Sequence, residues 1–153
     1  MVEFCKKYFI VSSTTPCLRG TLQVYDINQD FHPMLTLWGD EGIIKTMTAT
    51  SKYVVSGTDD TLKVWDPLKG KCCRTLKGHK GHVSSLTTWN NLIISGSDEI
   101  RVWNPETGEC LSTLVINEKK PKKVRHMSTN QDGILLSCAY DGKIRYWDIS
   151  QIE

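Results

Sequence analysis

From residue 43 to residue 76 the chain alternates short runs of β-branched, aromatic and aliphatic residues with clusters of turn formers. "IIKTMTA" (43–49), "YVVSGT" (53–58), "TLKVWD" (61–66) and "KCCRTL" (71–76) are four such runs. Each has the length and composition of a strand. "VSSLTTW", "LIISGS", "IRVW" and "CLSTLVI" follow in the same order, and then "VRHMST", "ILLSCA" and "KIRYWD". Asn90-Asn91, Asp132-Gly133 and Asp141-Gly142 fall between runs and are hairpin formers that tolerate positive φ. No stretch shows the 3.6-residue period of a long amphipathic helix, so the pattern predicts an all-β chain.

One phrase recurs in these runs. "SGTDDTLKVWD" (56–66) returns as "SGSDEIRVWN" (95–104) and "SCAYDGKIRYWD" (137–148), and a looser copy, "GTLQVYD", ends at Asp26. Its terminal pairs are Tyr25-Asp26, Trp65-Asp66, Trp103-Asn104 and Trp147-Asp148, with the aromatics 40, 38 and 44 residues apart. A period near forty with several strands per period predicts stacked four-stranded units. Residues 1–153 divide into four of them, at about 1–39, 40–78, 79–117 and 118–153.

Composition removes several function classes. The 153 residues suit one domain with a sizeable core. A net charge of +2 gives no global attraction to nucleic acid or to membrane. No apolar run approaches a membrane span, and "YFIV" is too short for a secretory signal. Without such a signal the six cysteines read as reduced thiols, which places the protein in cytoplasm or nucleus.

The Trp-Asp endings, together with "LKGHKGHV" (76–83) ahead of the next strand, resemble the WD-repeat β-propeller family over nearly the whole chain. The resemblance implies a buried polar network in each blade. A His before the first strand, a Ser or Thr in the second and an Asp in the tight turn surround the Trp, whose indole N–H needs an acceptor. Carried over, the third unit supplies His79, Ser95, Asp98 and Trp103, although its turn before Ile100 is two residues shorter than the family pattern. The second supplies Ser56, Asp60 and Trp65, with Asp40 in place of the His. The fourth supplies Ser137, Asp141 and Trp147 and has no His; the first has Tyr25 for Trp and Val11 for Ser.

Other readings of the same residues are weaker. His79, Ser95 and Asp98 are the residue types of a hydrolase triad, but no G-x-S-x-G elbow accompanies them. Cys72, Cys73, His79 and His82 suggest zinc, yet neighbouring strand residues face opposite ways and no C-x-x-C occurs. "KKPKKVR" (119–125) reads as a solvated loop between blades, with nuclear import or phosphate contact as its alternative. "TTPCLRG" (14–20) enlarges a hairpin loop of the first unit.

The chain is therefore expected to be non-enzymatic and to need no cofactor and no metal. The resemblance implies a scaffold that binds other proteins on the face near Lys80, His82, Lys122 and Lys123. Two alternatives are a substrate-recognition propeller of a ubiquitin ligase, from turns such as "TWNNLI" and "ATSKYV", and an RNA-associated role in ribosome biogenesis. Matching "CKKYFIVSS" (5–13) onto "WNNLIISGS" (89–97) starts the chain inside the innermost strand of its first blade, and "KIRYWD" is its last strand. Seven blades would need about 280 residues. The expectation is thus an incomplete propeller, an open arc or part of a larger ring, finished by a second chain or by self-association. Elemental analysis of protein purified without chelator should find no stoichiometric zinc; one zinc per chain that disappears in a Cys72→Ser variant would show that the thiols converge on a metal.

Overall fold

Fifteen strands and no helix make up the described part of the chain. The computed structural model describes residues 2–5, 8–14, 20–26, 33–40, 43–115 and 122–152. The strands form four antiparallel meanders. The first sheet holds β1 (Val2–Cys5), β2 (Tyr8–Thr14), β3 (Gly20–Asp26) and β4 (Pro33–Asp40). The second holds β5 (Thr46–Ala49), β6 (Val54–Gly57), β7 (Thr61–Asp66) and β8 (Lys71–Lys77). The third holds β9 (Ser85–Trp89), β10 (Leu92–Gly96), β11 (Ile100–Trp103) and β12 (Cys110–Leu114). The fourth has three strands, β13 (Val124–Thr129), β14 (Ile134–Ala139) and β15 (Ile144–Asp148).

Local chemistry fixes the hairpins. Asn90 and Asn91 both have positive φ and join β9 to β10 in a two-residue loop, the geometry that matches strand twist. Cys5 pairs with Tyr8 as Trp89 pairs with Leu92, so the first sheet follows the same register. Its innermost strand is as long as β5, and β9 begins at Ser85 and not at Val83. In the second and third sheets the residue that follows the tryptophan caps the next turn. Asp66 Oδ1 accepts from the N–H groups of Leu68 and Lys69 at 3.0 and 3.1 Å, and Asn104 Oδ1 accepts from those of Glu106 and Thr107 at 2.8 and 3.2 Å. Either residue offers the same oxygen, which is why Asn104 replaces Asp without altering the fold.

Each sheet has a leading face toward the sheet before it and a trailing face toward the sheet after it. On the trailing face of the first sheet, Ile10, Leu22 and Val24 are buried against Met47, Val54 and Trp65 of the second. Val55, Leu62 and Val64 are covered in the same way by Val83, Leu86, Ile93 and Trp103 of the third. Ile94, Ile100 and Val102 are covered by Val124, Met127 and Leu135 of the fourth. The core is therefore three inter-sheet layers. Close approach needs small residues between them: a Cβ at Gly96 would stand 2.8 Å from Val124 Cγ1, and one at Gly57 3.0 Å from Val83 Cγ1.

Trp103 is buried in the middle of this stack, whereas Tyr25 is half-buried on the leading face of the first sheet. Trp103→Ala should cost about 3–5 kcal/mol, and Tyr25→Ala distinctly less. Urea denaturation of the two variants checks this; an equal or larger loss at Tyr25 would mean that the first layer carries the stability.

Candidate functional site

The aromatic on each leading face, buried or half-buried, must satisfy a polar edge. Trp65 Nε1–H donates to Ser56 Oγ at 2.9 Å, Trp103 Nε1–H to Ser95 Oγ at 2.8 Å and Trp147 Nε1–H to Ser137 Oγ at 2.9 Å. In the first sheet Val11 offers no acceptor, and Tyr25 Oη–H turns to Gln23 Oε1 at 3.1 Å. The position two residues before the aromatic is Gln23, Lys63, Arg101 and Arg145 in the four sheets, directly across from Val11, Ser56, Ser95 and Ser137. Lys63 and Arg101 lie over the rings of Trp65 and Trp103, at 5.8 and 5.7 Å from the centroids. The wording "KVW", "RVW" and "RYW" carried that signal.

The third sheet adds His79, whose Nε2 is 2.6 Å from Ser95 Oγ. Ser95 is fully enclosed, taking the Trp103 N–H on one side and meeting His79 on the other. A hydroxyl held this way braces strand to connector and leaves no room for a substrate carbonyl. The structure corrects the expected place of Asp98. The carboxylate beside His79 Nδ1 is that of Glu99, with Oε1 3.9 Å away and paired to Arg101 at 2.8 Å. The shortened turn closes from Ser97 N–H to the Glu99 carbonyl, which leaves Asp98 at its tip. Gly78, beside the Arg101 guanidinium, has a φ of +150°, a backbone conformation that residues with a side chain rarely adopt. Burial, reinforced by the Arg101 charge, lowers the His79 pKa to about 4, so the ring is neutral near pH 7.

Asp60 and Asp141 also sit outside the network the resemblance implied. Asp60 is exposed at the tip of the second sheet's tight turn. Its neighbour Asp59 makes the contacts, with Lys45 Nζ at 3.0 Å and His82 Nδ1 at 2.9 Å. Asp141 takes the guanidinium of Arg145 at 2.6 Å and the N–H of Lys143 at 3.0 Å, which pulls its carboxyl down to about 2.

The tight turns and inter-sheet connectors share one face of the arc. Backbone bonds fasten each connector to the preceding sheet: Val83 N–H to the Asp59 carbonyl at 2.8 Å, and Val124 N–H to that of Ser97 at 2.7 Å. They set Lys80, Gly81 and His82 beside Asp59, Asp60 and Lys123, around an open cavity of about 400 Å³. Lys122 is exposed next to it. The Lys45 ammonium, and after it the contact with His82, lower the Asp59 pKa. Among the described residues, Lys80, Lys122 and Lys123 make no ion pair. The opposite face has a cavity of about 340 Å³ that sequence reasoning missed. There Glu106 takes Lys52 Nζ and Tyr53 Oη, both at 2.8 Å, across two sheets. No local spacing announces that contact.

The zinc candidates scatter. Cys72 and Cys73 are exposed on β8, His79 is inside the third sheet's brace and His82 is on Asp59. Residues 119–121 of "KKPKKVR" and 15–19 of "TTPCLRG" lie outside the described residues. Val124 begins β13, and Arg125 lies over the Tyr140 ring at 5.8 Å.

Because His79 is neutral when folded and its unfolded pKa is 6.5, the unfolded chain binds the extra proton between pH 6.5 and 4. Its contribution is complete above that window and is lost as pH falls through it, on the order of 3 kcal/mol. Denaturation of wild type and His79→Gln across pH 4–7 should show a difference that shrinks toward the acid side. A difference independent of pH would mean that the ring is not buried neutral.

The family described as "WD domain, G-beta repeat" matches residues 31–66, 70–104 and 108–148. Human NEDD1 is 30% identical over 124 residues, which are 77% of this chain and 19% of that protein. The nuclear distribution protein nudF of Aspergillus niger is 34% identical over 105 residues, 63% of this chain and 24% of its own. F-box/WD repeat-containing protein 7 of Drosophila melanogaster is 49% identical over 47 residues, 30% of this chain and 4% of that one. The chain thus spans about a quarter or less of these relatives. Among solved structures, the computationally designed Ika4 protein superposes with a TM-score of 0.81 at 26% identity, covering 97% of this chain and 89% of that one. With three matched repeats, four meander sheets and a Trp–Ser bond in three of them, the chain belongs to the WD40 repeat family as a segment of a β-propeller.

Proposed function

We propose that this chain is a non-enzymatic interaction module of the cytoplasm or nucleus that holds partner proteins in a larger assembly. The observation that carries the reading is the open 400 Å³ cavity on the connector face, lined by Lys80, His82, Lys123 and Asp60. It is open, lined by charged side chains, and built from turns that backbone bonds fasten to the sheets. Such a surface suits recognition of a polypeptide more than enclosure of a small molecule. Its ammonium groups, which make no ion pair among the described residues, fit an acidic segment of the partner.

A second reading is substrate recognition for a ubiquitin ligase. It is favoured by the 47-residue likeness to the Drosophila F-box/WD repeat-containing protein. The connector face would serve either role, and the identity of what co-purifies separates them. An RNA-associated role rests on Lys122, Lys123 and the rest of the basic run alone.

Affinity purification with mass spectrometry should recover the same proteins with wild type and with Lys52→Glu, which lies on the opposite face. The double variant Lys80→Glu/Lys123→Glu should lose them at least about fivefold, since unlike charges across an interface become like charges. Retention in the double variant would put the binding surface elsewhere. Recovery of RNA that salt releases steeply would favour the nucleic-acid reading instead.

A further inference from the structure

The trailing faces of the four sheets carry the same apolar triad, and three of the four are covered. Ile10, Leu22 and Val24, then Val55, Leu62 and Val64, then Ile94, Ile100 and Val102 are fully buried. The fourth triad is Leu136, Ile144 and Tyr146, at the same registers on β14 and β15. These side chains are 48%, 75% and 65% exposed. A contiguous apolar patch of this kind is uncommon on a monomer. Cys138 stands where Gly57 and Gly96 stand, but Ser12 holds that position in the first sheet, whose trailing face is covered, so a small side chain fits.

The complementary surface is at the other end of the same chain. In every internal layer the triad is covered by a leading face with a large aromatic and, two residues earlier, a polar side chain. The first sheet presents Tyr25 and Gln23 at those positions, beside Val11, all half-buried. Among the described residues the first and fourth sheets do not pack on each other as neighbouring sheets do. Innermost strands touch in succession, β1 with β5, β5 with β9 and β9 with β13, and among the described residues no comparable contact returns from β13 to β1. A closed ring of four would have buried Leu136, Ile144 and Tyr146.

We propose that the trailing face of the fourth sheet docks on the leading face of the first sheet of a second copy. The partner's fourth sheet docks reciprocally. The contact is head to tail, so a pair related by a two-fold axis closes both ends at once. Two copies give eight blades, the upper end of the usual propeller range, and three would give twelve, well beyond it. The pairing repeats three interfaces already made inside the chain, and it covers the apolar triad of the fourth sheet.

The test is light scattering coupled to size exclusion. Wild type should run at twice 17.4 kDa. Ile144→Asp and Tyr146→Glu change residues already exposed in the single chain, so each should give monomer with a preserved melting transition. Val11→Asp, at the opposite end, should also give monomer, which a trailing-to-trailing dimer would not require. Hydrogen exchange on wild type gives the same answer without substitution: β14–β15 and β2–β3 should gain protection together as the concentration rises. A wild-type monomer, a dimer that survives Val11→Asp, or protection gained at β14–β15 alone would each overturn the proposal.

Discussion

A single β-sheet has two faces, and water is tolerable on only one of them when the other is apolar. In this chain the constraint is stricter, because both faces of the inner sheets carry large apolar side chains. Val55, Leu62 and Val64 lie on one face of the second sheet, and Met47, Val54 and Trp65 on the other. Neither set can be buried by its own sheet. Stability therefore comes from stacking sheet on sheet, and each sheet depends on a neighbour at either side. The small residues Gly57 and Gly96, the backbone bonds from connector to tight turn and the order of the strands follow from bringing the layers into contact.

The polar network is a consequence of the same stacking. An aromatic large enough to cover the previous sheet's triad brings an indole N–H into the layer, where an unmet donor costs about 1–3 kcal/mol. A serine across the hairpin supplies the acceptor in three sheets, and Gln23 serves Tyr25 in the first. Among the described residues only the third sheet adds a histidine to this network, and its ring is kept neutral by the burial that the stacking imposes. The residues that resemble a catalytic triad are thus explained by packing: the serine oxygen is occupied, and the acid beside the ring is the one that holds Arg101.

The repeats in the sequence and the sheets in space are out of step. The matched segment 70–104 supplies β8 to the second sheet and β9 to β11 to the third, so each repeat bridges two blades. This stagger ties successive sheets through the connectors. It also explains why the connector face is rigid enough to present Lys80, His82 and Lys123 in a fixed arrangement.

The sequence alone settled what depends on neighbours within a hairpin. Strand runs, the Asn90-Asn91 turn, the cap formed by Asp66 or Asn104, and the pairing of Ser56 with Trp65 are all set over about ten residues or fewer. Those interactions repeat, so four copies of one phrase made them legible. What joins one sheet to the next was not legible. "VV…L.V", "II…I.V" and "LL…I.Y" look alike as text, yet two of these triads are fully buried and the third faces water. The contact of Asp59 with His82 on the connector face and the Lys52–Glu106 pair depend likewise on where whole sheets come to rest. A side chain's partner across a layer is fixed by the stacking of rigid units, and no spacing along a single chain encodes that placement.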